Sequence, residues 1–240
     1  MVSAEATREL AREALAGERE LKFALPASRA GIARSWLDRV CRRDARYPAA
    51  IVWTIYYDTP QLRSLGEKIN SDYLKQKIRV RWYSDLQGTA SGPAFVEAKL
   101  RVGNRRLKVR VTLGVPASEI AEWNLQDRRL LAFPLLLEAH GISARDLWQP
   151  LMLIRYRRDR FVDRSSGSRV SLDAEIAPVA VNPRFVSAVA RRPLPSAVLE
   201  VKGGSDELPV ALRGLLQLGI RERSFSKLLA VYTHMTGQML

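Results

Sequence analysis

Between residues 77 and 83 the chain reads Lys77-Ile78-Arg79-Val80-Arg81-Trp82-Tyr83, with cations at one parity and apolar side chains at the other. Successive side chains of a β-strand point to opposite faces, so this alternation belongs to a strand with one charged and one apolar face. The pattern recurs along the chain. Glu20 and Lys22 share a parity, as do Glu97, Lys99 and Arg101, and then Arg106, Lys108 and Arg110. Tyr156, Arg158 and Arg160 form another row, followed by Arg169, Ser171 and Asp173, and by Glu200 with Lys202. Eight extended segments are expected, seven on these runs and one on the apolar run 51–57: 19–24, 51–57, 77–83, 94–101, 105–113, 151–162, 169–176 and 197–202. The opposite parity is apolar: Leu21, Phe23, Ile78, Val80, Trp82, Leu107, Val109, Val170, Leu172, Leu199 and Val201. Phe95 breaks the rule, since it falls on a charged row.

An ordinary sandwich buries the apolar strand faces and leaves the charged ones in water. Helical patterns between the strands argue for the reverse. They are expected over 28–42, with Ser28 as N-cap, over 118–140 with a break near Pro134, and over 209–218 and 226–235. Helices need apolar surface to pack on, and the apolar strand faces are what is available, so the charged rows turn inward. Eight strands close into a barrel wide enough for one small ligand. The expected class is therefore α+β: an eight-stranded antiparallel closed β-barrel with helices packed on the outside. Gly103-Asn104 and the run Ser165-Ser166-Gly167-Ser168 mark its two tightest hairpins. No linker or internal repeat divides the 240 residues, which reads as one domain, opened by a polar helix near 4–16 that Gly17 ends.

A basic lining needs a counter-charge. Like charges two residues apart on a strand lie roughly 7 Å apart. With an effective dielectric near 20 they repel by about 2 kcal/mol. Lys plus Arg total 39 against 25 Asp plus Glu, a formal charge of +14, which calls for a polyanionic partner. Because the cations alternate with core residues on many strands and form no single helix or loop patch, nucleic acid is the least favoured of those partners. A chain of phosphates suits them better, through charge-assisted hydrogen bonds. Carboxylates in the same rows, Glu20, Glu97, Asp173 and Glu200, supply oxygen ligands of the kind that hold Mg²⁺ or Mn²⁺.

Other chemistries find little support. Cys41 is the only cysteine, and His140 and His234 are isolated, so neither a disulfide framework nor a thiolate or histidine metal site is expected. Charges from Glu5 to Glu13 exclude a secretory core, and the longest apolar run, Leu130 to Leu137, is too short to cross a bilayer. A soluble, cytoplasmic protein is expected.

The blocks Glu20-Leu21-Lys22-Phe23, Ile55-Tyr56-Tyr57-Asp58-Thr59-Pro60, Lys77 to Tyr83 and Phe95-Val96-Glu97-Ala98-Lys99 come in that order. Lys108-Val109-Arg110, Tyr156-Arg157-Arg158, Arg169 to Asp173, Val198-Leu199-Glu200-Val201-Lys202 and Phe225-Ser226-Lys227 complete the series. Together they resemble the catalytic domain of the vacuolar transporter chaperone (VTC) proteins, a polyphosphate polymerase-like branch of the triphosphate tunnel metalloenzymes (CYTH-like). The family's closing block usually reads Phe-Ser-Lys-Tyr, whereas Leu228 follows Lys227 here. The resemblance implies phosphate contacts from Lys22, Arg79, Arg81, Lys99, Lys108, Arg110, Arg158, Arg169, Lys202, Ser226 and Lys227. It implies a divalent metal, Mn²⁺ or Mg²⁺, on Glu200, with Glu20 and Glu97 as further ligands. ATP with polyphosphate or tripolyphosphate is the implied substrate class, and a membrane-protein partner follows by analogy alone. The leading expectation is a polyphosphate polymerase-like phosphotransferase. A tripolyphosphate or triphosphate hydrolase of the same fold, and a non-catalytic polyphosphate- or nucleotide-binding module, are the alternatives.

Overall fold

All eight expected segments are strands, each longer than expected by one to several residues. The computed structural model describes residues 19–70, 73–90, 92–103, 105–144, 147–186 and 192–237. The helix expected over 4–16 lies outside them. The strands are β1 (Arg19–Pro26), β2 (Cys41–Arg43), β3 (Ala49–Asp58), β4 (Leu74–Ser84), β5 (Pro93–Val102), β6 (Arg105–Pro116), β7 (Gln149–Asp163), β8 (Arg169–Val181), β9 (Ser196–Gly203) and β10 (Arg221–Glu222). They form one antiparallel sheet in the order β10-β1-β9-β8-β7-β3-β4-β5-β6, with β2 beside β7.

Register places the charged rows on one face. Lys22 sits opposite Glu200, Glu20 opposite Lys202, and Lys202 opposite Arg169. Arg158 faces Asp173, Thr54 faces Arg81, Arg79 faces Glu97, and Glu97 faces Arg110. That face is concave. Strands β1 and β5 are six ladder steps apart, about 29 Å in a flat sheet at about 4.8 Å per step. Yet the Lys99 ammonium on β5 lies 3.8 Å from the Glu20 carboxylate on β1. The sheet therefore curls round until its distant strands face one another. Register shifts on β3, β5 and β7, and the left-handed backbone of Glu175 on β8 (φ 56°), mark bulges of the kind that bend strands.

The expected closed barrel is not formed, because among the described residues no ladder joins β6 to β1. Part of the free edge of β1 is taken instead by β10, which pairs Glu222 with Phe23 and Arg221 with Ala24. Side chains such as Lys99 and Glu20, and not backbone, span the opening.

Two apolar layers cover the convex face, as the parity argument requires. Helix α1 (Ala30–Val40) and a 3-10 segment, Val210–Leu218, lie against Leu21, Phe23, Val170, Leu172, Leu199 and Val201. Helix α3 (Ala117–Ala121) and 3-10 turns at Arg128–Ala132 and Pro134–His140 cover Ile78, Val80, Trp82, Val96, Ala98 and Leu107. The region 118–140 is thus three short pieces and not one or two long helices. It breaks at Pro134 as expected, and again before Asp127, whose carboxylate caps the next turn by accepting from the Arg129 N–H.

Several local expectations give way. Ser28 lies inside a 3-10 turn and does not cap α1, which ends at Val40, so Arg42 and the buried Cys41 belong to β2. Helix α2 (Arg63–Ile69) carried no readable signal. Not every helix packs outside, because α4 (Lys227–Thr236) lies on the concave face. Its Leu228, Val231, Tyr232 and Met235 join Val52, Tyr56, Met152, Ile154, Tyr156 and Val198 in a third core. The inward rows are apolar over β3 and much of β7, and that part of the interior needs an apolar cover.

Candidate phosphate-binding face

The concave face is organised by buried carboxylates, each holding more than one cation. Glu97, 2% exposed, receives the Arg79 Nε at 2.6 Å and the Arg110 Nε at 2.6 Å, with Arg81 at 3.6 Å and Lys108 at 3.9 Å. Three adjacent strands supply this group because the Arg79–Glu97–Arg110 register puts all three side chains in one line across β4, β5 and β6. Arg81 is also fixed by its Nε, which donates to the Thr54 hydroxyl at 3.3 Å. Burial works against a charged Glu97, but Arg79, Arg81, Arg110 and Lys108 overcome it and hold the carboxyl well below the usual range.

A second group lies on β7, β8 and β9. Arg158 makes a two-pronged contact with Asp173, at 2.5 and 2.6 Å, and lies 3.5 Å from Glu200. Lys227, the first residue of α4, reaches Asp173 at 2.6 Å and Glu200 at 3.4 Å. Both carboxyls are held low: burial opposes their ionisation, and Arg158 and Lys227 outweigh it. Ser226 caps α4 by accepting from the Leu229 N–H, and its hydroxyl accepts from Lys77 at 3.3 Å.

The third group centres on Glu20, with Lys22 at 3.3 Å, Lys202 at 3.4 Å and Lys99 at 3.8 Å. Burial of Glu20 is again outweighed, by Lys22, Lys202 and Lys99, which bring its pKa down to about 2. Lys99 moves the other way. Burial, with Lys22 and Lys202 nearby, lowers its pKa to about 8 despite Glu20.

Every residue the sequence singled out as a phosphate contact therefore falls on this face or at the first turn of α4. Arg169 sits at its margin, opposite Lys202 in the ladder and exposed to solvent. Of the three carboxylates singled out for a metal, Glu20 and Glu200 are diagonal neighbours on paired strands, close enough for each to feel the other's charge. Their oxygens fit Mg²⁺ or Mn²⁺, which commonly takes one or two protein carboxylates and completes its shell with phosphate oxygens and water. No group of three or more acidic, His or Cys side chains stands ready for a metal among the described residues. Glu97 receives two arginines at 2.6 Å, whereas the cations at Glu20 and Glu200 stand at 3.3 Å or more, so of the three it is the most tightly held by cations.

The VTC domain family profile matches residues 18–236. The chain belongs to the VTC domain family. No curated protein matches it. Among solved structures, the Hippeastrum adenylyl cyclase candidate HpAC1, described as having a dominant triphosphatase activity, is 16% identical, with 93% of this chain and 97% of that one covered at a TM-score of 0.49. An adenylate cyclase candidate from Bacillus halodurans is 11% identical, with 88% and 95% covered at a TM-score of 0.48. The Pct1 RNA triphosphatase of Schizosaccharomyces pombe is 12% identical, with 85% and 80% covered at a TM-score of 0.32. At such TM-scores these likenesses are too distant to assign an activity.

Within this VTC domain the structure adds residues that strand patterning did not single out. Thr54 joins the face because β3 presents Val52, Thr54 and Tyr56 opposite Tyr83, Arg81 and Arg79. Nothing in an apolar run such as Ile51 to Tyr57 separates its inward from its outward parity, so only pairing reveals it. Asp58, from the shared Tyr57-Asp58-Thr59-Pro60 block, has a local task. Its buried carboxylate accepts from the N–H groups of Thr59, Ser64 and Leu65, at 2.8, 2.7 and 3.1 Å, and so fixes the loop into α2. Burial pushes its pKa up to about 6 in spite of those hydrogen bonds. No helix among the described residues is long and apolar enough to cross a membrane.

Proposed function

We propose that this face binds a chain of phosphates and that the protein is a divalent-metal-dependent phosphotransferase of the polyphosphate polymerase-like kind, using ATP. The observation that carries the reading is the ratio at Glu97, where four cations surround one buried carboxylate. Such an excess inside a curled sheet is unfavourable without a polyanion and favourable with one.

Arg79, Arg81, Lys108 and Arg110 would take the phosphoryl oxygens on one side, their guanidinium groups held in orientation by Glu97 and Thr54. Lys22, Lys99 and Lys202 would take them on the other, with Arg169 at the margin, while Arg158, Lys227 and the Ser226 hydroxyl close the floor. Phosphoryl transfer asks the protein mainly for alignment and charge neutralisation, and a lining of fixed cations supplies both. Glu200 and Glu20 would hold the divalent ion, which when bound neutralises charge on the phosphates.

Product analysis after incubation with ATP and Mn²⁺ tests this. Phosphate chains longer than the substrate, which hot acid cleaves to orthophosphate, establish the transferase. Release of orthophosphate alone replaces it with a triphosphate hydrolase, and tight tripolyphosphate binding without turnover replaces it with a binding module.

A further inference from the structure

Phe95 is the aromatic side chain that breaks the parity of the charged rows, and the structure gives that break a place. On β5 it is the inward residue next after Glu97, opposite Arg81 on β4 and Thr112 on β6. Its ring joins none of the three apolar cores and is only half-buried. Instead, the Arg110 guanidinium lies 4.8 Å from its centroid. Tyr83, the next inward residue after Arg81, is also half-buried, and Arg160 of β7 lies 5.5 Å from its centroid. Residues 83 and 95 are diagonal neighbours on paired strands, within reach of one another's aromatic side chains. The cation rows thus end, on this side, in two aromatic rings and two arginines.

The Arg110 guanidinium stands over the phenyl ring, and the part of the ring that stays exposed would gain from a further flat apolar cover. Arginine planes and aromatic rings together are the surfaces on which nucleobases stack. Spacing agrees with such an occupant. Phe95 and Glu97 are two residues apart, so a base on Phe95 stands roughly 7 Å from the level where Arg79, Arg81 and Arg110 converge, and its phosphates would run directly into them.

We propose that Phe95 and Tyr83, with Arg110 and Arg160, form a stacking subsite for the base of a nucleoside triphosphate whose phosphates occupy the Glu97 cation group. This rests on the phosphate-chain reading above and adds to it the place where the base of the nucleotide sits. Stacking selects for a flat ring and not for one base, so ATP, GTP and UTP should all use it.

The test is calorimetric titration of the full chain with ATP and, separately, with tripolyphosphate, at fixed Mg²⁺. Phe95→Leu keeps the apolarity of the side chain at a smaller size and removes the ring; Phe95→Tyr keeps the ring. Phe95→Leu and Tyr83→Leu should each weaken ATP by at least about fivefold, the lower end for a base–aromatic stack, and leave tripolyphosphate within about twofold. Phe95→Tyr should bind ATP as the wild type does. A triphosphate carrying 2-aminopurine should lose fluorescence on binding the wild type and keep it with Phe95→Leu, a readout independent of affinity. Equal weakening of ATP and tripolyphosphate would mean that the rings only hold Arg110 and Arg160 in place, and would overturn the subsite. Unchanged ATP binding in both leucine variants would overturn it too, while leaving the phosphate reading intact. Wild-type protein that binds neither ligand would overturn both.

Discussion

Two buried carboxylates on opposite faces of the sheet gather arginines in the same way and to different ends. On the convex side Asp159, 0% exposed, accepts from Arg34 at 2.8 Å, Arg43 at 3.0 Å and Arg157 at 3.1 Å, and Arg43 is shared with Asp38. On the concave side Glu97 holds Arg79, Arg81, Lys108 and Arg110, and no second carboxylate shares them in the contacts described. The convex group ties α1 and β2 to β7 and comes close to balancing its own charge. The concave group ties no helix to the sheet and remains strongly positive. A buried carboxylate with several arginines is therefore not by itself a sign of a site. What distinguishes the two groups is the excess of cations over anions.

Removal of the two carboxylates should break the likeness most clearly. Glu97→Gln and Asp159→Asn each leave a buried cluster without its anion, at a cost of about 3 kcal/mol. For a chain of this length that is about 10 °C in Tm. Tripolyphosphate should stabilise Asp159→Asn by the same increment as the wild type, because its concave face is intact, and Glu97→Gln by a larger one, because there it also supplies the missing counter-charge. Thermal melts of the wild type and both variants with and without the ligand check this, and an equal increment in all three would show that the ligand does not act at the Glu97 group.

The next contrast is between arginines. Arg110→Ala removes a charge-assisted contact and should weaken tripolyphosphate by about tenfold or more. Arg157→Ala, on the convex group, should cost stability and leave that affinity unchanged. Titration calorimetry on the two variants measures both effects.

A smaller effect comes from Lys99. Its pKa of about 8 lies below the ordinary 10.5, so between those values the folded chain holds fewer protons than the unfolded one. Ligand-free stability should then rise with pH across this window, the sign set by greater proton uptake in the unfolded state. Affinity for tripolyphosphate should fall over the same window, because the bound phosphates need the ammonium form. Lys99→Arg should flatten both slopes. Least of all, Ser226→Ala should cost about 1 kcal/mol through the lost cap of α4, measurable as a small fall in the denaturant midpoint.

Strand patterning made the concave face legible before any pairing was known, and the reason is local. Lys77 to Tyr83 and Arg106 to Arg110 declare both their conformation and their two faces through parity alone. The apolar rows then identified which face the outer helices would take, as the cores around Ile78 and Leu21 bear out. Patterning failed where residues of both faces are apolar. In β3 the run from Ile51 to Tyr57 hides Thr54, the partner of Arg81, and the same inward apolarity called α4 to a face the parity argument had left to charge alone.

By itself, then, the sequence determined which segments are strands, which parity is charged, and that the charged rows carry more cations than anions. These are consequences of a two-residue repeat, which each segment carries within itself. The tertiary structure decided how those rows meet: that Glu97 gathers four cations while Glu20 and Asp173 gather others, that α4 enters the curl, and that β10 takes part of the edge of β1 and leaves the sheet unclosed. Register, bulges and curl depend on contacts between residues far apart in the chain, and no repeat within a strand encodes them.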